Sequence, residues 1–98
     1  MKVITICGSM RFAKDMISLA SELEIEKGWC VLQCVYDVNP EKLTLEDIEK
    51  LSLLHFKRID ISDGIFVVNK GGYIGNQTRK EIEYAKKNNK EIYYWEEV

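Results

Sequence analysis

Gly64-Ile65-Phe66-Val67-Val68-Asn69 holds four consecutive apolar residues between a glycine and an asparagine. As a strand, such a run has no polar side and must be buried on both faces. Val3 to Cys7 is a second short apolar strand, closed by Gly8-Ser9. Strands of this kind belong to parallel sheets covered by helices on both faces. The segments around them supply those helices. Met10 to Lys27 carries Met16, Ile17, Ala20 and Leu23 at helical spacing and stops at Gly28. Thr44, with Asp47 three residues on, predicts an N-cap for a helix reaching about Ser62. Trp29 to Tyr36 and Glu91 to Trp95 read as further strands, and Asp37-Val38-Asn39-Pro40 as a turn or loop. A glycine-rich loop after Asn69 leads into a helix from Asn76 onward. The order β-α-β-α-β-α-β predicts an α/β fold: a three-layer, doubly wound parallel sheet of the Rossmann or flavodoxin type. It has four to five strands in the order 2-1-3-4.

Ninety-eight residues with 46% apolar content fit one domain, residues 1–98, with one core. A net charge of −2 argues against a nucleic-acid polymer as partner, because phosphate-backbone binding needs concentrated Lys and Arg. No apolar run approaches a membrane span, and Met1-Lys2-Val3 leads directly into a strand instead of a signal peptide. The three cysteines, Cys7, Cys30 and Cys34, form no C-x-x-C pair. Cys30 and Cys34, four apart in one strand, share a face as small core hydrophobes, and no metal site is expected. A reducing, cytoplasmic setting follows. There is no G-x-G-x-x-G and no G-x-x-x-x-G-K, which leaves dinucleotides and Walker-type triphosphate sites without support, and no cofactor is expected.

At about 100° per residue, Thr78, Ile82, Tyr84 and Ala85 cluster on one face of the last helix, with Arg79, Glu83, Lys86 and Lys87 opposite. Glu81 falls with the first group. A carboxylate aimed at the protein body is costly unless it is paired or has a chemical role. The plain alternative is a glutamate that complements the helix dipole. In doubly wound sheets, ligands bind beyond the carboxyl ends of the strands, where the strand order reverses. There the loop after the first strand, Gly8-Ser9-Met10-Arg11, meets the loop from Asn69 to Thr78. The first could cradle an anion with backbone N–H groups, the Ser9 hydroxyl and a bidentate Arg11, or be an ordinary turn capped by Ser9. The second offers Gly71, Gly72 and Gly75 for close backbone approach, and Asn76, Gln77 and Thr78 as hydrogen-bond partners. Tyr73 is either a stacking platform or an exposed loop side chain.

Ile6-Cys7-Gly8-Ser9-Met10-Arg11, Ser62-Asp63-Gly64-Ile65-Phe66-Val67-Val68 and Thr78-x-x-Glu81-Ile82-x-Tyr84-Ala85 resemble, in the same order, the nucleoside 2-deoxyribosyltransferase-like proteins. The first loop looks closest to the branch that hydrolyses 2′-deoxynucleoside 5′-monophosphates. The resemblance implies a doubly wound fold and a glutamate, here Glu81, that attacks C1′ of the deoxyribose. It also implies that Ser9, Arg11 and the loop before Glu81 hold the 5′-phosphate. A helix N-terminus should keep Glu81 ionised. The chain departs from the family pattern twice. His55 stands where an aspartate is usual, and Gly75 where the phosphate-binding branch tends to have a serine, a part that Asn76 or Thr78 would have to fill. His55 shares a stripe with Ile48, Leu51 and Ile59, and so is either a semi-buried helix histidine or a proton donor to the leaving base. Asp60 and Asp63 are further carboxylates, the second in a turn position. Leu53 and Phe56, on the otherwise polar side of that helix, suggest a partner surface, and the family commonly completes its site across a homodimer. The expected partner is a small nucleoside or nucleotide. The alternatives are a non-catalytic nucleotide-binding domain of the same fold and a small interaction module in which Glu81 only complements the dipole.

Overall fold

β1 (Val3–Gly8), β2 (Cys30–Leu32), β3 (Gly64–Val68) and β4 (Glu91–Tyr94) pair in parallel as one sheet ordered β2-β1-β3-β4. The helices are α1 (Ala13–Lys27), α2 (Leu45–Asp60) and α3 (Asn76–Lys87). This computed structural model describes residues 1–36 and 39–98, so the first half of the turn expected at Asp37-Val38-Asn39-Pro40 lies outside the described residues. The fold is the expected α/β arrangement, with four strands.

Alternation along the central strands sorts the core into two layers. Ile6 and Val68 face α1 and pack with Met16, Leu19, Ala20 and Leu23. Cys7, Ile65 and Val67 face the other way, onto Ile59 of α2 and Ile82 and Ala85 of α3. Each fully buried aliphatic side chain contributes about 1.5–3 kcal/mol by leaving water. Ile17, expected in the α1 stripe, is half exposed. Helix α1 begins only at Ala13, after a short 3-10 turn over Met10–Phe12. Gly28 ends it in the left-handed conformation.

The N-terminus of α2 is a full capping box. Thr44 Oγ1 accepts from Asp47 N at 3.0 Å and Asp47 Oδ2 accepts from Thr44 N at 3.0 Å. Thr44→Ala should lower the unfolding free energy by about 1 kcal/mol, read from the urea midpoint. Along α2, His55 and Ile59 are buried, Leu51 is half-buried and Ile48 is half exposed. Leu53 is 64% exposed, as expected of an outward residue, but Phe56 is not its exposed companion. The Phe56 ring lies 4.8 Å from that of Tyr84, half-buried between α2 and α3. Tyr84 also donates its hydroxyl hydrogen bond to Asp60, and Asp63 accepts from Val3 N at 2.8 Å, so both aspartates are structural.

Strand β2 departs most from expectation. It pairs with β1 only through Cys30, Val31 and Leu32, and the chain leaves the sheet before Cys34. Cys30 and Cys34 therefore do not share a strand face. Among the described residues, no helix is long and apolar enough to cross a membrane.

Candidate active site

The early departure of β2 creates the cleft. The β1–β2 register ends at Thr5–Leu32, whereas β1 stays paired with β3 through Gly8–Val68. Ile6, Cys7 and Gly8 thus lack a strand neighbour on one edge, at the carboxyl end of the sheet. The vacated space, about 510 Å³, is roofed by α2 and by the N-terminus of α3, within the size range of small-molecule pockets.

Most of the residues singled out in the sequence meet here. Gly8, Ser9, Met10, His55, Gly75, Asn76, Thr78 and Glu81 all line the cleft. The Ser9 side chain accepts from Arg11 N at 3.3 Å, which leaves its O–H free to donate. Gly75 is the N-cap of α3 and gives no side-chain cap, so the first N–H groups of the helix are available to an anion. The N-terminus of α3 lines the cleft, whereas no residue of α1 does.

Two expected residues do not line the cleft. Arg11 stacks its guanidinium 3.8 Å from the Tyr73 ring centroid, and Tyr73 in turn meets Phe12 edge-on, so neither residue reaches inward. Asn69 is wholly buried as a clamp on the C-terminal segment: its Nδ2 donates to Glu96 O and its Oδ1 accepts from Glu96 N. With its amide turned to Glu96 and its side chain wholly buried, Asn69 is outside the cleft lining.

The floor holds three buried groups. Glu81 is 6% exposed, and its Oε1 lies 3.6 Å from His55 Nε2, which is itself 3.5 Å from Cys7 Sγ. Gln77 Nε2 donates to Glu81 Oε2 at 3.3 Å and to Ser52 Oγ at 2.9 Å, tying α3 to α2 across the opening. Burial raises the Glu81 carboxyl from 4.5 to about 7, against the smaller opposing effect of the Gln77 hydrogen bond. The expectation that the helix dipole keeps Glu81 ionised is therefore not met. Glu81 is the sixth residue of α3, beyond the first turn in which the dipole acts.

His55 is displaced the other way. Burial first, then the neighbouring Arg58 charge, lowers it from 6.5 to about 4. Burial thus opposes the protonated ring that donation to a leaving base would need. In the Nε2–H tautomer the proton lies between thiol and carboxylate, while Nδ1 is buried without a partner among the described residues. Burial, with the Glu81 charge beside it, pushes the Cys7 thiol up and keeps it protonated.

Ser52, Arg58 and Cys34 also line the cleft and were not singled out in the sequence. Ser52, His55 and Arg58 follow one another at i, i+3 and i+6, a helical stripe that the aliphatic residues beside it obscure. Cys7 carries no site role in the sequence motif, although its position just before the glycine turn brings it to this floor. Compared with protein-family models, with curated proteins and with solved structures, the chain matches none.

Proposed function

We propose that the protein cleaves, or transfers, the N-glycosidic bond of a (deoxy)nucleoside or nucleoside 5′-monophosphate, with Glu81 as nucleophile. The observation that carries this reading is a buried carboxylate on the floor of a ligand-sized cleft, below an uncapped helix N-terminus. Glu81 lies five residues after Asn76 along the helix, a rise of about 7.5 Å. A furanose bearing a 5′-phosphate fits that span, with phosphate against the α3 N–H groups and the Ser9 hydroxyl, and the anomeric carbon facing Glu81. Attack by Glu81 forms a C1′–O bond as the C1′–N bond breaks, and the base leaves with a proton taken from solvent at the open mouth. Water, or a second base, then displaces the ester with overall retention. His55, neutral and 3.6 Å away, is a positioning residue for the carboxylate. The half-buried Arg58 on the cleft wall supplies a donor for a base carbonyl or a phosphate oxygen.

Incubation with the four deoxynucleoside monophosphates and the matching nucleosides, with free base followed by chromatography, tests the proposal. Base release that disappears in Glu81→Ala is expected. No release from any of them, with wild type and variant alike, sinks the enzymatic reading. Nucleotide-dependent stabilisation without release then selects a binding domain instead.

Gly75→Ser probes the phosphate end. A Cβ at Gly75 meets only Tyr73 ring and hydroxyl atoms at 3.5 Å or more, ordinary contact distances. The hydroxyl should add one donor beside the α3 N–H groups, lowering KM for 5′-monophosphates about fivefold and leaving KM for free nucleosides unchanged. The reading also includes a cytoplasmic homodimer formed through the exposed Leu53 side of α2, which sedimentation of wild type and Leu53→Lys would check.

A further inference from the structure

Beside its part in the proposed reaction, the cleft floor has the composition of a soft-metal site. Cys7, His55 and Glu81 each offer one ligand atom, all three are buried, and the three atoms lie within 4.8 Å of one another. Tetrahedral zinc, with Zn–S about 2.3 Å and Zn–N and Zn–O about 2.0–2.1 Å, separates sulfur from nitrogen by about 3.5 Å and nitrogen from oxygen by about 3.3 Å. The corresponding separations here are 3.5 Å and 3.6 Å. The third pair, sulfur and carboxylate oxygen, lies within 4.8 Å and closes to about 3.5 Å around a bound ion. Thiolate, imidazole and carboxylate in one set favour zinc or cobalt over magnesium or calcium, which take oxygen ligands. Among the described residues, no lysine or arginine pairs with Glu81, so no fixed cation competes for the position. His55 and Glu81 line the cleft while Cys7 lies beneath them, which leaves the fourth coordination position facing the opening.

We infer that Cys7 Sγ, His55 Nε2 and Glu81 form an exchangeable zinc site whose occupation competes with use of Glu81 as a nucleophile. Exchangeability follows from the outer sphere. A ligating imidazole ordinarily donates its other N–H to an acceptor, and His55 Nδ1 has no partner among the described residues. Missing outer-sphere partners weaken metal sites about 10- to 100-fold, which makes this an ion that comes and goes. Binding displaces the Cys7 proton to solvent, and the ion takes the carboxylate lone pair that an attack on C1′ requires.

The test does not depend on turnover. Chelator-stripped protein is titrated with Co2+, and the thiolate-to-cobalt charge-transfer absorption is followed. One saturable site per chain is expected, with the band bleached by stoichiometric Zn2+. The band should vanish in Cys7→Ala and require at least tenfold more cobalt in His55→Ala, while Cys34→Ser keeps it. Zinc should raise the thermal midpoint of wild type and Cys34→Ser, but not of folded Cys7→Ala or Glu81→Gln. No saturable binding overturns the inference, and so does a band that survives Cys7→Ala or is lost with Cys34→Ser. If the buried-site variants fail to fold, the wild-type band, its stoichiometry and the Cys34→Ser result still decide. Where wild type releases base, release should fall along the same saturation curve, and release unaffected at full occupancy contradicts ligation by Glu81.

Discussion

Glu81→Gln, measured in chelator, is expected to stabilise the protein at pH 8 by on the order of 3 kcal/mol, to change it little at pH 5, and to abolish base release. The sign follows from the direction of the shift. Burial raises the Glu81 carboxyl from 4.5 to about 7, so the folded protein holds its proton more tightly than the unfolded chain does. The unfolded chain therefore gives up that proton first as pH rises. Native stability falls between about pH 4.5 and 7 and is level above that. A displacement of this size is worth on the order of 3 kcal/mol. Glutamine keeps the shape and can still accept the Gln77 hydrogen bond, but carries no charge to desolvate. For a chain of this length the gain is roughly 10 °C or more in melting temperature. The acid side should be unaltered in the variant. His55, lowered to about 4, removes stability as pH drops below 6.5 whether or not Glu81 is present. Urea unfolding at pH 5, 6.5 and 8 checks both limbs, and a wild-type-to-variant difference independent of pH would contradict the assignment. Stability given up at one buried carboxylate is the pattern expected where a residue is kept for chemistry.

The inward direction of Glu81 was legible because helical periodicity is a local property. Thr78, Glu81, Ile82 and Ala85 are the buried residues of α3, and the sequence places all four on one face. The sheet order was legible for a similar reason: β1 and β3 have no polar side, and a strand without one belongs in the middle. Departures arise where a distant partner decides. Gln33-Cys34-Val35-Tyr36 continues a β-rich run, yet nothing local says that β1 will lack a neighbour beside Ile6. The cleft exists because of that omission. Asn69 looked like a loop donor until Glu96, 27 residues later, used both ends of its amide. Arg11 looked like a phosphate ligand until Tyr73 offered its ring. The Glu81 ionisation is not legible because the dipole is local, whereas the burial that opposes it comes from α2 and β1. Direction is thus encoded nearby, and electrostatics is encoded by whatever closes over the residue.

Gly64→Ala is expected to be the most destabilising single-methyl change in the sheet, at about 3 kcal/mol or more. A Cβ built there lies 2.6 Å from Glu91 O and 2.8 Å from Glu91 Cβ. The obstacle is backbone of the paired strand, which cannot move without separating β3 from β4 at the start of their register, Gly64–Glu91. Overpacking usually costs about 1–3 kcal/mol, and here strand hydrogen bonds are lost in addition. Those bonds include Glu91 N to Asp63 O at 3.1 Å, at the point where β4 enters the sheet. Gly8→Ala makes the comparison, because its closest obstacle is Met16 Sδ at 2.9 Å, the flexible part of an adaptable side chain. Its cost should be smaller, about 1–2 kcal/mol, although Val68 O at 3.2 Å keeps it from being free. The two variants also separate stability from the site. Gly8 lines the cleft, so Gly8→Ala should impair nucleotide binding in protein that remains folded. Gly64→Ala should leave the affinity of its folded fraction unchanged, since the clash is at the opposite end of β3. Urea midpoints with nucleotide titrations on both proteins give the answer, and a Gly64→Ala protein within 1 kcal/mol of wild type would show that β4 yields where this packing says it cannot.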